Sequence, residues 1–418
     1  MAEPDGNGNG DGDGRDDRPA SGVYPLGAAE QHELTETALS HMDAMKQYVE
    51  LQSDQALHPP TQCPASGLFG SLRIGSRKSK MALIQASSVA AALFKVHHGF
   101  SFPISTHAVQ GDVDKTTPFL QFAAKPGKSS ADVSKSLWTK EIEERLLAGD
   151  IDIIVHSLKD VPTALPEGCA IGVFPHRNDP TDALVVKTGL PYRSLEDLPS
   201  GSVVGTSSVR RTAQLKHFCP HLLVQECRGN VDSRIAKLDA SDSPYTAIVV
   251  ATSGLERLNL EHRITARLSA PTFLHAVGQG SLGIEIRSND TKTLELIKPI
   301  DHWPTRVRCL AERSLLRYLQ GGCSAPIAVL SSLHSGSVDS SVTTDGQAGV
   351  LHLIGTLLHP QGGVEIRAHH SGLVKTDVDA EAVGIIVAKR ILELGGGALL
   401  ALVKTPEGLP APSTTSST

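Results

Sequence analysis

Arginine gathers at three places where a helix should begin. In residues 72–85, LRIGSRKSKMALIQ, a strand meets a glycine turn at Gly75, and a helix opens near Ser79 with Arg77 and Lys78 just ahead of it. In residues 203–215, VVGTSSVRRTAQL, the hydroxyls of Thr206, Ser207 and Ser208 lead into a helix whose first turn holds Arg210 and Arg211. In residues 226–239, ECRGNVDSRIAKLD, Arg228 precedes the turn, Asn230 is the expected cap and Arg234 lies in the opening turn. Unpaired backbone N–H groups at a helix start attract anions. Cations there oppose the helix dipole, so adjacent arginines need an outside anion or a nearby carboxylate. About 100° apart on a helix, Arg210 and Arg211 are expected to grip separate groups. Arginine forks match carboxylates and phosphates in two-point fashion, so three such starts point to a ligand of that kind. Taken alone, the first start reads sooner as an ordinary solvated cap, and for the second the two readings balance.

Three further stretches carry reactive types. Residues 149–168, GDIDIIVHSLKDVPTALPEG, run from a buried strand into a polar turn, placing Lys159 and Asp160 where the strands of α/β sheets present ligand groups. A turn aspartate paired with its neighbouring lysine is the plain alternative. Residues 276–287, AVGQGSLGIEIR, hold a G-x-G-x-x-G pattern at Gly278, Gly280 and Gly283. A dinucleotide site needs a strand before it and a helix after it; here the strand follows, so a nicotinamide or flavin site is rejected and the glycines are assigned to close packing or a bend. Residues 320–329, QGGCSAPIAV, set Cys323 in a glycine turn. Taken alone it is a small, inert thiol.

The elements that must position these groups alternate. Short apolar runs (LRIG, SFPIST, DIDIIVHS, ALVVK, SVVGTS, LLVQECR, YTAIVVA) are separated by amphipathic stretches, the pattern of α/β architecture. A long helix over WPTRVRCLAERSLLRYLQ should bury Val307, Leu310, Ala311 and Leu315 and end at Gly321. A smaller unit follows, with LHLIGTLLHP and VEIRAHH as a strand pair and DAEAVGIIVAKRILEL as its closing helix. Residues 1–70 form an appendage with one helix-like patch.

Composition sets the class. With 418 residues, 40% hydrophobic and 20% charged, the chain is an ordinary soluble type with room for several domains. The first twenty residues carry four of its six net negative charges, so overall charge points to neither nucleic acid nor a polyanion partner. No run approaches the ~18 apolar residues of a spanning helix. The acidic, Gly/Asp-rich opening is unlike a signal or transit peptide, and a cytosolic protein with a disordered N-terminal segment is expected. Six cysteines without C-x-x-C spacing suggest free thiols, and the histidine doublets His97–His98 and His369–His370 suggest no metal site.

Taken together, RIGSRKSKMALIQ, VHSLKDVPT, GTSSVRRTAQL, RGNVDSR, AVGQGSLGIE and GGCSAPIAV resemble, in order and spacing, the signature segments of the porphobilinogen deaminase (hydroxymethylbilane synthase) family. The likeness runs strongly from Leu72 to about Leu330 and weakly beyond, with no counterpart for residues 1–70. Trp138 stands where the family usually has Phe, and the stretch 105–136 looks long and rich in Ser, Lys and Asp. The resemblance implies an α/β protein of three domains: two lobes like those of periplasmic binding proteins, over 71–177 with 277–302 and over 178–276, and a small α+β domain over 303–405, followed by a disordered tail from 406 to 418. It implies a transferase of heme biosynthesis that joins four porphobilinogen molecules into hydroxymethylbilane with loss of ammonia, a cytoplasmic monomer without nucleic acid or membrane partners. A dipyrromethane cofactor would be held by a thioether to Cys323, Asp160 would stabilise cationic charge with Lys159 beside it, and Arg77, Ser79, Thr206, Ser207, Arg210, Arg211, Arg228, Arg234, Arg257 and Gln279 would bind cofactor and substrate. The competing class, a solute-binding module, explains the arginines but neither Cys323 nor Asp160.

Overall fold

The computed structural model describes residues 70–107, 130–320, 325–334 and 347–404. Its first sheet is built from β2 (Ile74–Arg77), β4 (Ile104–His107), β5 (Ile153–Ser157), β6 (Cys169–Val173) and, much later in the chain, β12 (Leu282–Arg287), in the order β4-β2-β5-β12-β6. The short strands β1 (Gly70–Ser71) and β3 (Phe100–Ser101) pair beside it. Helix α1 (Lys80–Val96) covers one face, where Ala86, Val89, Ala90 and Leu93 meet Ile74, Val155 and Ile284. Helix α2 (Ser130–Ala148) covers the other, with Ile142 and Leu146 against Ile151 and Ile154.

The second sheet takes β7 (Asp182–Val186), β8 (Val203–Gly205), β9 (Leu223–Gln225), β10 (Ala247–Ala251) and β11 (Ala266–Leu268), in the order β11-β7-β10-β8-β9. Strands β7 and β10 are buried along their whole length, and alternate residues serve opposite faces. Leu184 and Val186 join the cluster with Leu215 of α3 (Val209–Phe218), whereas Ala183 and Val185 join that with Ile235 and Leu238 of α4 (Val231–Asp239) and Leu255 of α5 (Thr252–Arg257).

The two sheets have one pattern. In the first, β2 runs parallel to β4 and β5, and β12 antiparallel to β5 and β6; in the second, β8 runs parallel to β9 and β10, and β7 antiparallel to β10 and β11. The chain leaves the first sheet after β6, builds the second, and returns through β12 and α6 (Thr291–Ile297), so two crossover segments join the lobes.

The remaining unit packs α7 (Trp303–Tyr318) and α8 (Asp377–Ile391) on an antiparallel sheet of β13 (Ile327–His334), β14 (Gly349–Leu358) and β15 (Glu365–Val374), with α9 (Gly397–Lys404) at the end. Gly384 of α8 permits this: a Cβ there would collide with the Ala311 carbonyl of α7. The α7 stripe buries Val307, Ala311 and Leu315 as expected, but Leu310 is only half-buried. The helix also stops at Tyr318, short of Gly321, because Gln320 takes a left-handed conformation (φ 49°) that ends the helical ladder. The motif glycines fall where packing is tightest: Gly280 has φ 84°, and a Cβ on it would meet the Asn178 carbonyl of the other crossover.

Candidate active site

The C-terminal ends of β2, β5 and β10 and the starts of the helices that follow converge on one cleft between the two sheets, whose described part measures about 240 Å³. Arg77 and Ser79 reach it from the end of β2. Ser79 caps α1 by accepting from Ala82 N, at 3.3 Å. Lys159 and Asp160 come from the 3-10 turn that terminates β5, Arg234 from the first turn of α4, Arg257 from the last residue of α5, and Arg211 from α3. Asp160 is exposed and Lys159 half-buried. With Lys80, six cationic side chains thus line the cleft beside Asp160 and Asp232.

Electrostatics follow from that crowding. Burial pushes Lys159 down to about 8, Arg211 and Arg210 pushing the same way, while Asp160 and Asp182 oppose them. Burial also lowers Arg257 to about 10 and lowers Arg234, whose neighbours include Arg211 and Arg228. A cleft in which cations disfavour one another is tuned to accept anions.

The arginine pair departs from expectation. Arg210 and Arg211 do not grip separate groups: Arg210 Nη1 donates to Asp182 Oδ2 at 2.6 Å, and Arg211 donates through Nε and Nη2 to Asp182 Oδ1 at 3.0 and 2.7 Å. One carboxylate with two oxygens satisfies two side chains that diverge on the helix. Gln279 Nε2 adds a further bond to Asp182 Oδ1 at 2.9 Å. Burial favours the neutral acid, yet the two guanidiniums hold Asp182 far below the usual carboxylate range. Arg211 still lines the cleft, whereas Arg210 is buried behind it, donating also to Leu274 O.

Other sequence candidates fall around the cleft rather than on its wall. Thr206 is buried and accepts from Ser208 N; Ser207 donates to Cys227 O at 2.7 Å; Ser208 is the cap that accepts from Arg211 N. Arg228 pairs with Glu226 at 2.5 Å. Asn230 occupies the cap position of α4 with extended backbone but makes no side-chain cap bond, and Arg234 Nε donates to Gly229 O in the same turn. Gln279 is buried in the returning crossover. Cys323 lies outside the described residues, as do most of the stretch 105–136 and the segment 1–69.

The porphobilinogen deaminase cofactor-binding domain model matches residues 72–295, and the porphobilinogen deaminase C-terminal domain model matches residues 306–393. This chain belongs to the porphobilinogen deaminase family. Curated family members named porphobilinogen deaminase include that of Yarrowia lipolytica, 42% identical over 78% of this chain and 91% of its own length. Those of Schizosaccharomyces pombe and Synechococcus elongatus are 40% and 43% identical, each over 79% of this chain and 94% of theirs.

Several residues that hold the site were invisible to motif reading. Asp182 is one. Another is Arg177, on the outgoing crossover, which donates in bidentate fashion to Glu312 of α7 at 2.6 and 3.1 Å and through Nε to Gln279 O. Glu312 Oε2 also accepts from Gly278 N, so α7 ties both crossovers together. Burial works against it, but Arg177 holds the Glu312 carboxyl down at about 2. Arg313 donates to the carbonyls of Val161 and Pro162 immediately after Asp160. The available signal was an acid opening the fully apolar run of β7 and a Glu-Arg pair within the apolar stripe of α7; each had to have a buried partner.

Proposed function

We propose that the chain is a transferase of tetrapyrrole (heme) biosynthesis that condenses four porphobilinogen molecules head to tail into hydroxymethylbilane and releases one ammonia per ring. Support comes from family membership and from one observation above all: Asp160 stands in the same cleft as Arg77, Lys159, Arg211, Arg234 and Arg257. Every porphobilinogen ring carries two carboxylates. A binding wall of forks with an exposed acid at its edge is what such a substrate requires.

The residues present also fit a dipyrromethane, which bears the same carboxylates. The donor set of the cleft wall, arginine forks with a serine hydroxyl, is of the kind that binds carboxylates. Arg77, Ser79, Arg211, Arg234 and Arg257 would hold it from the wall, with Thr206, Ser207, Arg210, Arg228 and Gln279 supporting or extending that grip, and Cys323 would anchor it through a thioether. When bound, it supplies the pyrrole carbon at which the chain starts.

In the mechanism that follows from these positions, the arginines fix ring orientation by two-point contacts to the acetate and propionate groups. Loss of ammonia leaves positive charge on the methylene and ring of the incoming substrate. Asp160, on the turn after β5, stabilises that charge at close range and steers the leaving proton. Lys159, with its depressed affinity for protons, neutralises a ring carboxylate beside it. The proposed domain limits are 71–177 with 277–302, 178–276 and 303–405, a reading supported by the grouping of strands into sheets. The proposal extends to a cytoplasmic monomer without nucleic acid or membrane partners, in keeping with the nearly balanced charge beyond the first twenty residues.

The test is an assay of ammonia and bilane from porphobilinogen, joined to intact-mass measurement. The expected protein carries two pyrrole units, absent in Cys323→Ser. An active protein of unmodified mass overturns the cofactor assignment, and no ammonia release by protein that carries the adduct overturns the reaction.

A further inference from the structure

A second group of titratable side chains lies behind the β5 wall of the cleft, and the mechanism above leaves it unused. His156 of β5 lines the cleft, and its Nε2 is 2.7 Å from Oε2 of Glu285 on β12. Glu285 is fully buried and Glu143 of α2 is 3% exposed. Among the described residues, Glu143 Oε1, Glu285 Oε1 and the Oγ1 of Thr139, a residue that also lines the cleft, have no partner in good hydrogen-bond geometry. Among the described residues no lysine or arginine pairs with either carboxylate; the ion pair of Glu285 is with His156.

Two buried acids beside one imidazole cannot both stay charged cheaply. Burial raises the Glu143 carboxyl, and the charge of Glu285 pushes it the same way, with Glu144 adding to both; Thr139 and His156 pull it back. From β6, Cys169 stands by with a thiol pushed up to about 12 by burial and by Glu285, so it remains protonated. From α7, Arg313 is the remaining charge close to Glu285. A proton kept on Glu143 gives one orphan oxygen a donor and supplies a neighbouring acceptor. Buried polar atoms left unpaired beside a cleft call for a physical reason, and a proton held among these groups supplies one.

We propose that His156, Glu285 and Glu143 form a proton relay that opens on the cleft and holds the proton released in each condensation. The inference rests on reading the cleft as a condensing site. Starting from the ammonium form of the substrate, the C–N bond breaks with its electron pair leaving on ammonia. The new C–C bond forms between the aminomethyl carbon and the free α-carbon of the chain, whose C–H bond then gives up a proton. Ammonia finally leaves as ammonium, so proton and charge balance over the cycle. Between the two events, His156 takes the proton at the cleft face, the Glu285 carboxylate stabilises the imidazolium, and Glu143, already protonated, leaves that carboxylate without a second negative charge beside it. The three are positioning and relay groups; Asp160 is the acid that meets the substrate.

The experiment uses the enzyme carrying its cofactor. In the infrared spectrum at neutral pH, the carbonyl band of a buried protonated carboxylic acid should be present in the wild type and absent in Glu143→Gln. In the same variant and in His156→Asn, kcat should fall ~100-fold, the lower end of acid–base effects, with KM unchanged and an altered pH profile, and added imidazole should partly rescue His156→Asn alone. A band that persists in Glu143→Gln, or a kcat–pH profile like the wild type's in both variants, overturns the relay. Should His156→Asn fail to fold, Glu143→Gln decides by the band and the profile together. If wild-type protein releases no ammonia from porphobilinogen, the reading of the cleft itself fails; if it does and the variants match it, only the relay fails.

Discussion

The two five-stranded sheets share strand order and strand direction, yet their equivalent edges face the cleft with opposite chemistry. At the end of β2 a serine caps α1, and at the end of β8 a serine caps α3. At the next equivalent position the sheets part. Strand β5 stops in a 3-10 turn that presents Lys159 and the exposed Asp160, whereas β10 runs straight into α5, whose buried Thr252 and Ser253 lead to Arg257 at its far end. The second lobe's own acid, Asp182, is wholly buried and spent on Arg210 and Arg211. One scaffold therefore gives a lobe with an exposed carboxylate on the cleft and a lobe whose β7 carboxylate is buried among its arginines. On the proposed mechanism the charge-stabilising acid comes from the first lobe, while most of the carboxylate-binding arginines come from the second.

That division can be broken first at Asp160. Asp160→Asn should lower the rate of ammonia release by ~10²–10⁴-fold while KM stays near the wild-type value, because the change removes charge stabilisation and leaves the binding wall intact. Steady-state kinetics decide it.

On the second lobe the expected pattern is reversed. Arg211→Leu should act through binding, raising KM or stopping cofactor assembly, as read by intact mass. Asp182→Asn should reproduce much of that loss without touching substrate, since it leaves two buried guanidiniums without their counter-charge. A normal KM and normal cofactor content in Asp182→Asn would separate the aspartate from the grip.

The joint between the lobes gives a smaller, thermodynamic effect. Glu312→Gln should cost about 3–5 kcal/mol by leaving Arg177 buried and unpaired. Because the carboxyl of Glu312 is held down at about 2, its contribution is present above the ordinary carboxylate range and is lost as pH falls towards 2. Thermal midpoints measured from neutral to acid pH should therefore converge for wild type and variant.

The smallest effect concerns Lys159. Its ammonium loses its proton as pH rises through about 8, so KM should climb there as one cation facing the ring carboxylates is lost. Lys159→Arg, which keeps its charge, should flatten that rise.

Much of this site was legible in the chain because its parts are local. Ser79 beside Arg77, Ser208 beside Arg211 and Asp160 at a strand end each announce themselves within one turn of sequence. What could not be read were the long-range partners. Asp182 meets Arg210 and Arg211 across 28 and 29 residues, and Arg177 meets Glu312 across 135. Helical geometry correctly separated the two adjacent arginines, but only the fold places one carboxylate between them. The same holds for His156 and Glu285, 129 residues apart and brought together because β12 returns from the second lobe to pair with β5.

The most direct test of the division between lobes is one paired measurement on Asp160→Asn protein: intact mass, to read what the protein holds, and ammonia release from porphobilinogen, to read what it does. A mass that includes two pyrrole units on Cys323 together with ammonia release reduced at least ~10²-fold is the predicted result. Ammonia release close to the wild-type rate from the same protein would contradict it.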